Sequence, residues 1–295
     1  TSTRTARTAQ VSIPVPSLAA GECRQISYSL PSQRRGIYQV GPLTINCTDP
    51  LRLMARGWKH ESCSRLVVHP RTYWAEPVAA SGTHDMDGPT SSYAPHGGVA
   101  FHSLRDYEFG DDHRLIHWKS TARMGKLMVR HNVVPHEPRL MVVLDTSMSP
   151  YHEKSFEEAV SAAASVCVAA LGSGFPLTFR TTVTESEPEI WTGVEGEAVL
   201  DLLAGVQRSG ADQGLAALPG IVPRDDGLTL EVITGQPGGE LLALLPVVQR
   251  RVRMVSLIQF TDDPAAFPAA LQGVPAIEVR RGEEFAAAWN LLVRR

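Results

Sequence analysis

Cysteine is scarce in this sequence and is never paired at short range: Cys23, Cys47, Cys63 and Cys167 are the only four. Without a Cys-x-x-Cys pair the chain offers neither a zinc ribbon nor a thioredoxin-type redox motif, and so few thiols do not make a disulfide-dense secreted scaffold. Free thiols are the expectation. Long apolar runs are missing as well; none reaches the roughly 18 residues that a membrane span needs. The longest apolar stretch, 159–171, is rich in alanine with serines inside it, as suits a helix packed tightly on a sheet. No charge sign dominates, since 28 Lys and Arg face 31 Asp and Glu for a net charge of -3, so the molecule as a whole is not built to bind nucleic acid. No Gly-x-x-x-x-Gly-Lys loop is present to cradle phosphates, and Ser147 and Ser149 lie outside any Gly-x-Ser-x-Gly elbow. Cys167, surrounded by Val and Ala, reads as core and not as a nucleophile.

What is present divides along the chain. A length of 295 residues allows about two domains. Over 10–75, short segments such as QVSIPV, CRQISYSL, GIYQVGPLTI and SRLVVHP are separated by Pro, Gly and Ser clusters, with alternating polarity in 25–30 and 37–45. This pattern predicts an antiparallel β domain, a small sandwich or barrel. Over 76–98 the sequence turns rich in Pro, Gly and Ser and poor in apolar residues, which reads as a long loop opening a polar segment that extends to 138. From 139 to 295, strands are expected at 140–144, 176–182, 228–234 and 252–259, and helices at 153–171, 195–207, 240–250 and 283–293. Strands alternating with helices predict a doubly wound α/β domain with a mostly parallel sheet.

The stretch 140–149, LMVVLDTSMS, is the sharpest local signal: an apolar run stops at Asp145 and two serines follow at alternate positions. Such a run reads as a buried strand whose carboxyl end opens onto a loop, the place where doubly wound sheets bind ligands. Asp145, Ser147 and Ser149 supply one carboxylate and two hydroxyls, hard oxygen donors that suit Mg²⁺. Their spacing resembles the first loop of a von Willebrand factor A domain, whose metal-ion-dependent adhesion site uses these side chains. The resemblance implies a Thr from a second loop and an Asp from a third. Here the third-loop strand ends in Thr234-Gly235-Gln236 and lacks the Asp, while the second loop, 208–214, lacks the Thr but contains Asp212. The expectation is a degenerate site of Asp145, Ser147, Ser149 and Asp212 that binds Mg²⁺ weakly, and only if Asp212 reaches it.

The segment 101–130 is the densest polar stretch. Its basic residues, Arg105, Arg114, Lys119, Arg123, Lys126 and Arg130, are interleaved with Asp106, Glu108, Asp111 and Asp112 and with His102, His113 and His117. Three readings compete: a metal centre of His113 and His117 with Asp111 or Asp112, a nucleic-acid surface using Trp118 and Tyr107 for stacking, and a network of ion pairs that ties the segment to its neighbours. The near one-for-one match of acids and bases favours the ion pairs, because the acids would oppose a phosphate backbone.

Leu104-Arg105-Asp106-Tyr107, Gly110-Asp111-Asp112, Arg114, Ile116-His117-Trp118, Ala122-Arg123, Leu127 and Val129-Arg130 resemble the signature of a bacterial family known as domain of unknown function fifty-eight. Upstream, Arg34-Arg35-Gly36-Ile37-Tyr38, Gly41-Pro42 and Asp49-Pro50-Leu51 resemble a second stretch of that family. The resemblance implies a membrane-anchored bacterial protein whose transmembrane helices precede the present sequence, with this part on the cytoplasmic face. It also implies a MoxR-type AAA+ ATPase and client proteins as partners. On this reading the chain is a non-catalytic protein-binding adaptor for the maturation or assembly of other proteins, with no nucleic-acid partner. The alternative is a metal-dependent hydrolase built on the His113, His117, Asp111 and Asp112 cluster.

Overall fold

In the computed structural model the described residues are 10–30, 32–49, 51, 53–77, 100–108, 111–133, 139–152, 154–183, 190–191, 196–236, 238–261 and 273–294. Most of the expected loop at 76–98 lies outside them. Residues 1–33 and 34–295 separate as two units by their contacts. In the first unit, residues 10–30 form no strand, against the expectation for QVSIPV and CRQISYSL. The stretch contains a turn in which Glu22 N–H donates to the Ala19 carbonyl, and alternation without a ladder partner among the described residues does not make a strand.

The second unit opens with four strands, β1 (Gly36–Val40), β2 (Leu43–Thr48), β3 (Ala55–His60) and β4 (Ser64–Val68). They pair as two antiparallel ribbons, β1 with β4 and β2 with β3. Next comes a hairpin of β5 (Ala100–Asp106) and β6 (Met128–Val133), with helix α1 (Trp118–Met124) in its connection.

The rest alternates: β7 (Arg139–Leu144), α2 (Ser155–Gly172), β8 (Leu177–Thr181), β9 (Ile190–Trp191), α3 (Gly196–Gly205), α4 (Leu218–Ile221), β10 (Asp225–Thr234), α5 (Glu240–Gln249), β11 (Val252–Phe260), β12 (Ala276–Val279) and α6 (Gly282–Val293). One six-stranded sheet results, in the order β12-β11-β10-β7-β8-β9, parallel throughout except for β9. Apolar residues cover both of its faces, as a sheet buried on two sides requires. On one face Val142, Leu144, Ile233 and Ile258 pack with Ala159, Ala163, Leu203, Phe285 and Trp289 of α2, α3 and α6. On the other, Met141, Val143, Leu230, Val232 and Leu257 pack with Leu218 of α4 and Leu241 and Leu245 of α5. Helix α2 has the length and mean hydropathy, 1.3, of a membrane span, but 72% of it is buried within the fold. Its run of alanines lets it lie close against the strands, which makes it the central core helix.

The small ribbons are tied to this α/β core by polar anchors at defined points. The Arg35 guanidinium, only 7% exposed, donates to the carbonyls of Leu203, Ala204 and Val206 at the carboxyl end of α3. Cations are favoured there because the last carbonyls of a helix lack internal partners. Arg35 also pairs with Glu157 at 2.9 Å and lies 5.4 Å from the Phe156 ring centre. Its burial lowers its pKa, and Glu157 partly offsets that. Farther along, Tyr73 N–H donates to Ser165 Oγ, and the Trp289 indole donates to the Glu76 carbonyl.

Two expected outcomes follow from this packing. Arg35→Ala, followed by chemical denaturation, lowers stability by about 2–4 kcal/mol, because several buried carbonyls lose a charged donor. Glu157→Ala lowers it by less than about 1 kcal/mol, its side chain being mostly exposed. The second outcome concerns Glu231, in the middle of β10 between Val142 of β7 and Ser256 of β11. Burial pushes its carboxyl up to about 8, against a hydrogen bond with Ser256 that lowers it. The folded chain therefore keeps a proton that the unfolded chain releases near pH ~4.3, so stability falls as pH rises between ~4.3 and about 8. Thermal melts from pH 5 to 9 should show this slope, at most ~1.4 kcal/mol per unit, and Glu231→Gln should flatten it; identical slopes in both proteins would refute the assignment.

Candidate functional site

Strand β7 lies between β8 and β10, and the chain leaves the carboxyl ends of neighbouring strands toward opposite faces of the sheet. That is the switch point at which open α/β sheets form a ligand crevice. Asp145 continues the ladder through its N–H to the Ile233 carbonyl (2.8 Å), and Thr182 does so through its N–H to the Leu144 carbonyl. Asp145, Thr182 and Thr234 thus stand side by side at the ends of three adjacent strands. All three are almost fully buried.

Asp145 gathers its own donors. Its Oδ1 accepts from the Ser147 N–H at 2.9 Å and the Ser147 hydroxyl at 2.7 Å, and its Oδ2 accepts from the Thr234 hydroxyl at 2.8 Å. Tyr151 donates its hydroxyl to the Asp145 carbonyl at 2.7 Å, and burial beside the Asp145 carboxylate drives the tyrosine pKa well upward. Asp212 forms a second centre: Oδ2 accepts from the hydroxyls of Thr146 (2.6 Å) and Thr182 (2.5 Å), and Oδ1 from the Gly214 N–H (2.9 Å). A bridge between Ser147 and Ser209 stitches the loop carrying Asp212 onto the loop after β7.

Two glycines let these loops meet. Gly214 has φ +61, and a Cβ there would sit 2.9 Å from Ser147 Oγ and 3.5 Å from Asp145 Oδ1. At Gly235 a Cβ would overlap the Pro150 carbonyl, to which Gln236 N–H donates at 2.7 Å.

Of the four residues expected at a metal site, the structure brings three into one neighbourhood. Asp145 and Ser147 are joined directly, and Asp212 arrives through Thr146 and Thr182, while Ser149 stays exposed. The donor set fits a cation incompletely. Asp212 is turned toward two threonines, the third-loop position has no room for a carboxylate, and no group of three His, Cys, Asp or Glu side chains gathers among the described residues. Asp145, Ser147 and Thr234 would remain as ligands, with water supplying the rest of an octahedral shell. The sequence reading missed Thr146 and Thr182 as parts of the site. A signal was available, because the strands ending at 144, 181 and 260 are each followed within two residues by a threonine and the strand ending at 234 closes on one.

The polar signature folds on itself. Arg105 pairs with Asp111 at 2.5 Å, and Lys126 pairs with Asp106 at 2.7 Å. Asp111 also accepts from the Glu108 N–H; the Arg105 guanidinium first, then this bond, hold its carboxyl below the usual range. His113 and His117 do not share a helix face. His113 sits in a 3-10 turn against Tyr107, whose hydroxyl is 3.3 Å from its Nε2, whereas His117 caps α1 through Ser120. Asp112 caps the 3-10 turn by accepting from the Arg114 N–H. The network is therefore narrower than expected: Arg105, Asp106 and Asp111 are paired, while Arg114, Trp118 and Arg123 are exposed and their side chains make no ion pair or hydrogen bond among the described residues.

Most of this hairpin and the loop after β7 lie within one recognised stretch. Residues 103–188 match the family described as protein of unknown function DUF58. Over 152 residues the chain is 28% identical to the uncharacterized protein YeaD of Bacillus subtilis (strain 168), a match that covers 50% of this chain and 37% of that protein. The matched family stretch holds Asp145, Ser147, Thr146 and Thr182 together with the whole α1 segment, whereas Arg35 and Asp212 fall outside it.

Gly235→Asp supplies the carboxylate that a complete adhesion-type site would have. The overlap with Pro150 makes its expected outcome a loss of stability of about 1–3 kcal/mol with no gain in Mg²⁺ affinity, read by thermal melting and calorimetry. A stable variant with tighter Mg²⁺ binding would show that the loop opens.

Proposed function

We propose that this chain is a non-catalytic binding module, an adaptor of the von Willebrand factor A type. It is the part of a membrane-anchored bacterial protein that lies on the cytoplasmic face, and it works with a MoxR-type AAA+ ATPase on client proteins. The observation that carries the reading is the Asp145, Ser147 and Thr234 cluster at the switch point of a sheet ordered β9-β8-β7-β10-β11-β12. A hydroxyl-lined carboxylate in that place suits recognition of a partner's polar group, directly or through weakly held Mg²⁺. The hydrolase alternative draws no support from the positions of His113 and His117, each engaged with a different neighbour. The similarity to the DUF58 family agrees with the reading without adding an activity to it.

The test has two parts. Calorimetry on the folded chain should give Mg²⁺ binding weaker than micromolar, abolished by Asp145→Ala. Co-purification of the full-length protein with a MoxR-type ATPase from the same genome should give a complex that Asp145→Asn, whose amide can still bond Ser147 and Thr234, weakens while the circular dichroism spectrum is unchanged. Failure to co-purify any such ATPase, with or without Mg²⁺, would overturn the adaptor reading.

A further inference from the structure

We infer that the outer face of α1 is a docking surface for an acidic protein segment bearing apolar side chains; this deepens the adaptor reading and rests on it. The helix is short and two-sided. Ser120 and Thr121 point inward, where the Thr121 hydroxyl accepts from the Met128 N–H and Ser120 meets His117. Trp118, Lys119, Ala122 and Arg123 share the opposite face, at helical positions i, i+1, i+4 and i+5, and all are exposed. Trp118 is 67% exposed. Met124 on the same short helix is exposed as well, and Trp and Arg are the side chains that dominate binding energy when a partner covers them.

Charge identifies the occupant. From His113 to Lys126 the chain has four Lys and Arg and no Asp or Glu. Lys126 is neutralised by Asp106, leaving Arg114, Lys119 and Arg123 exposed and without an ion pair among the described residues. In a protein of net charge -3 this is a local cationic patch around an aromatic centre, complementary to carboxylates. Nucleic acid is disfavoured because these three cations lie within one short segment, 114–123, and Asp106, Glu108, Asp111 and Asp112 border them. The helix is held firmly for such a role: His117 caps its start and Gly125, with φ +72, closes its end.

Fluorescence anisotropy of the full chain with a labelled peptide of repeated Glu-Glu-Leu tests this, with a Lys-Lys-Leu peptide and a single-stranded DNA of equal length for comparison. The expected result is saturable binding of the acidic peptide that weakens with salt and falls about tenfold for Trp118→Ala and, separately, for Arg123→Glu, both of which keep the parent melting temperature. The pair Arg56 and Trp58, a cation 5.2 Å from an aromatic ring on β3, is the control, and Arg56→Ala should leave binding unchanged. No binding of the acidic peptide, binding unmoved by the α1 substitutions, or tighter binding of the DNA would each overturn the inference. An ATPase complex that survives Trp118→Ala alongside a failed peptide titration would sink this surface and leave the adaptor reading standing; loss of the ATPase complex from the unaltered protein would sink the reading itself.

Discussion

A carboxylate with 2% of its surface exposed must find its donors inside the protein, and the central region of this molecule is arranged around that demand. Asp145 draws one hydroxyl from its own loop and another from the end of β10, so its charge clamps the two strands that flank the switch point. Thr146, directly after it, turns to Asp212 and Thr182 and thereby fixes the second loop and the end of β8. Two carboxylates, each satisfied by hydroxyls from a different strand, stitch three consecutive loops into one polished edge. Burying such charges is tolerable only because each oxygen has a partner.

The same logic of satisfying groups that a fold leaves bare explains how the small ribbons stay attached. Helix α3 ends with unpartnered carbonyls, and Arg35, just ahead of β1, supplies the donors. The residues flanking Arg35 include Ile37, whose Cδ1 would lie 3.2 Å from a Cβ placed on Gly205. A polar cap and a close apolar approach thus act at the same helix end. That gives a physical reason for the Arg-Arg-Gly-Ile-Tyr string independent of any resemblance.

Most of the α/β architecture was legible because periodicity is strong in long elements. The expected helix at 153–171 is Ser155–Gly172, and the expected strand at 252–259 is Val252–Phe260. Strand β12, four residues next to a proline, carries too few alternations to stand out. At the site, Asp145 and Ser147 were readable since their relation is local, whereas Thr146 meets Asp212 across 66 positions and Thr182 across 36, distances at which sequence spacing says nothing. The histidine pair, which the sequence reading ranked below the ion pairs, does not share a face because i, i+4 spacing places two side chains together only on a continuous helix; here a 3-10 turn and a cap intervene. Residues 10–30 misled, alternating like strands while pairing with no strand among the described residues.

The sheet's borders have a consequence of their own. One side ends in β12, whose four residues pair with β11, and the other in β9, two residues running against β8. An open parallel sheet with long outer strands would offer a row of bare amide groups on which a second molecule could extend it. Toward β12 the strands shorten from ten residues in β10 to nine in β11 and four in β12, so on that side the longest hydrogen-bonding surfaces are interior. This taper leaves the β12 margin of the sheet with little bare backbone on which a second molecule could extend it.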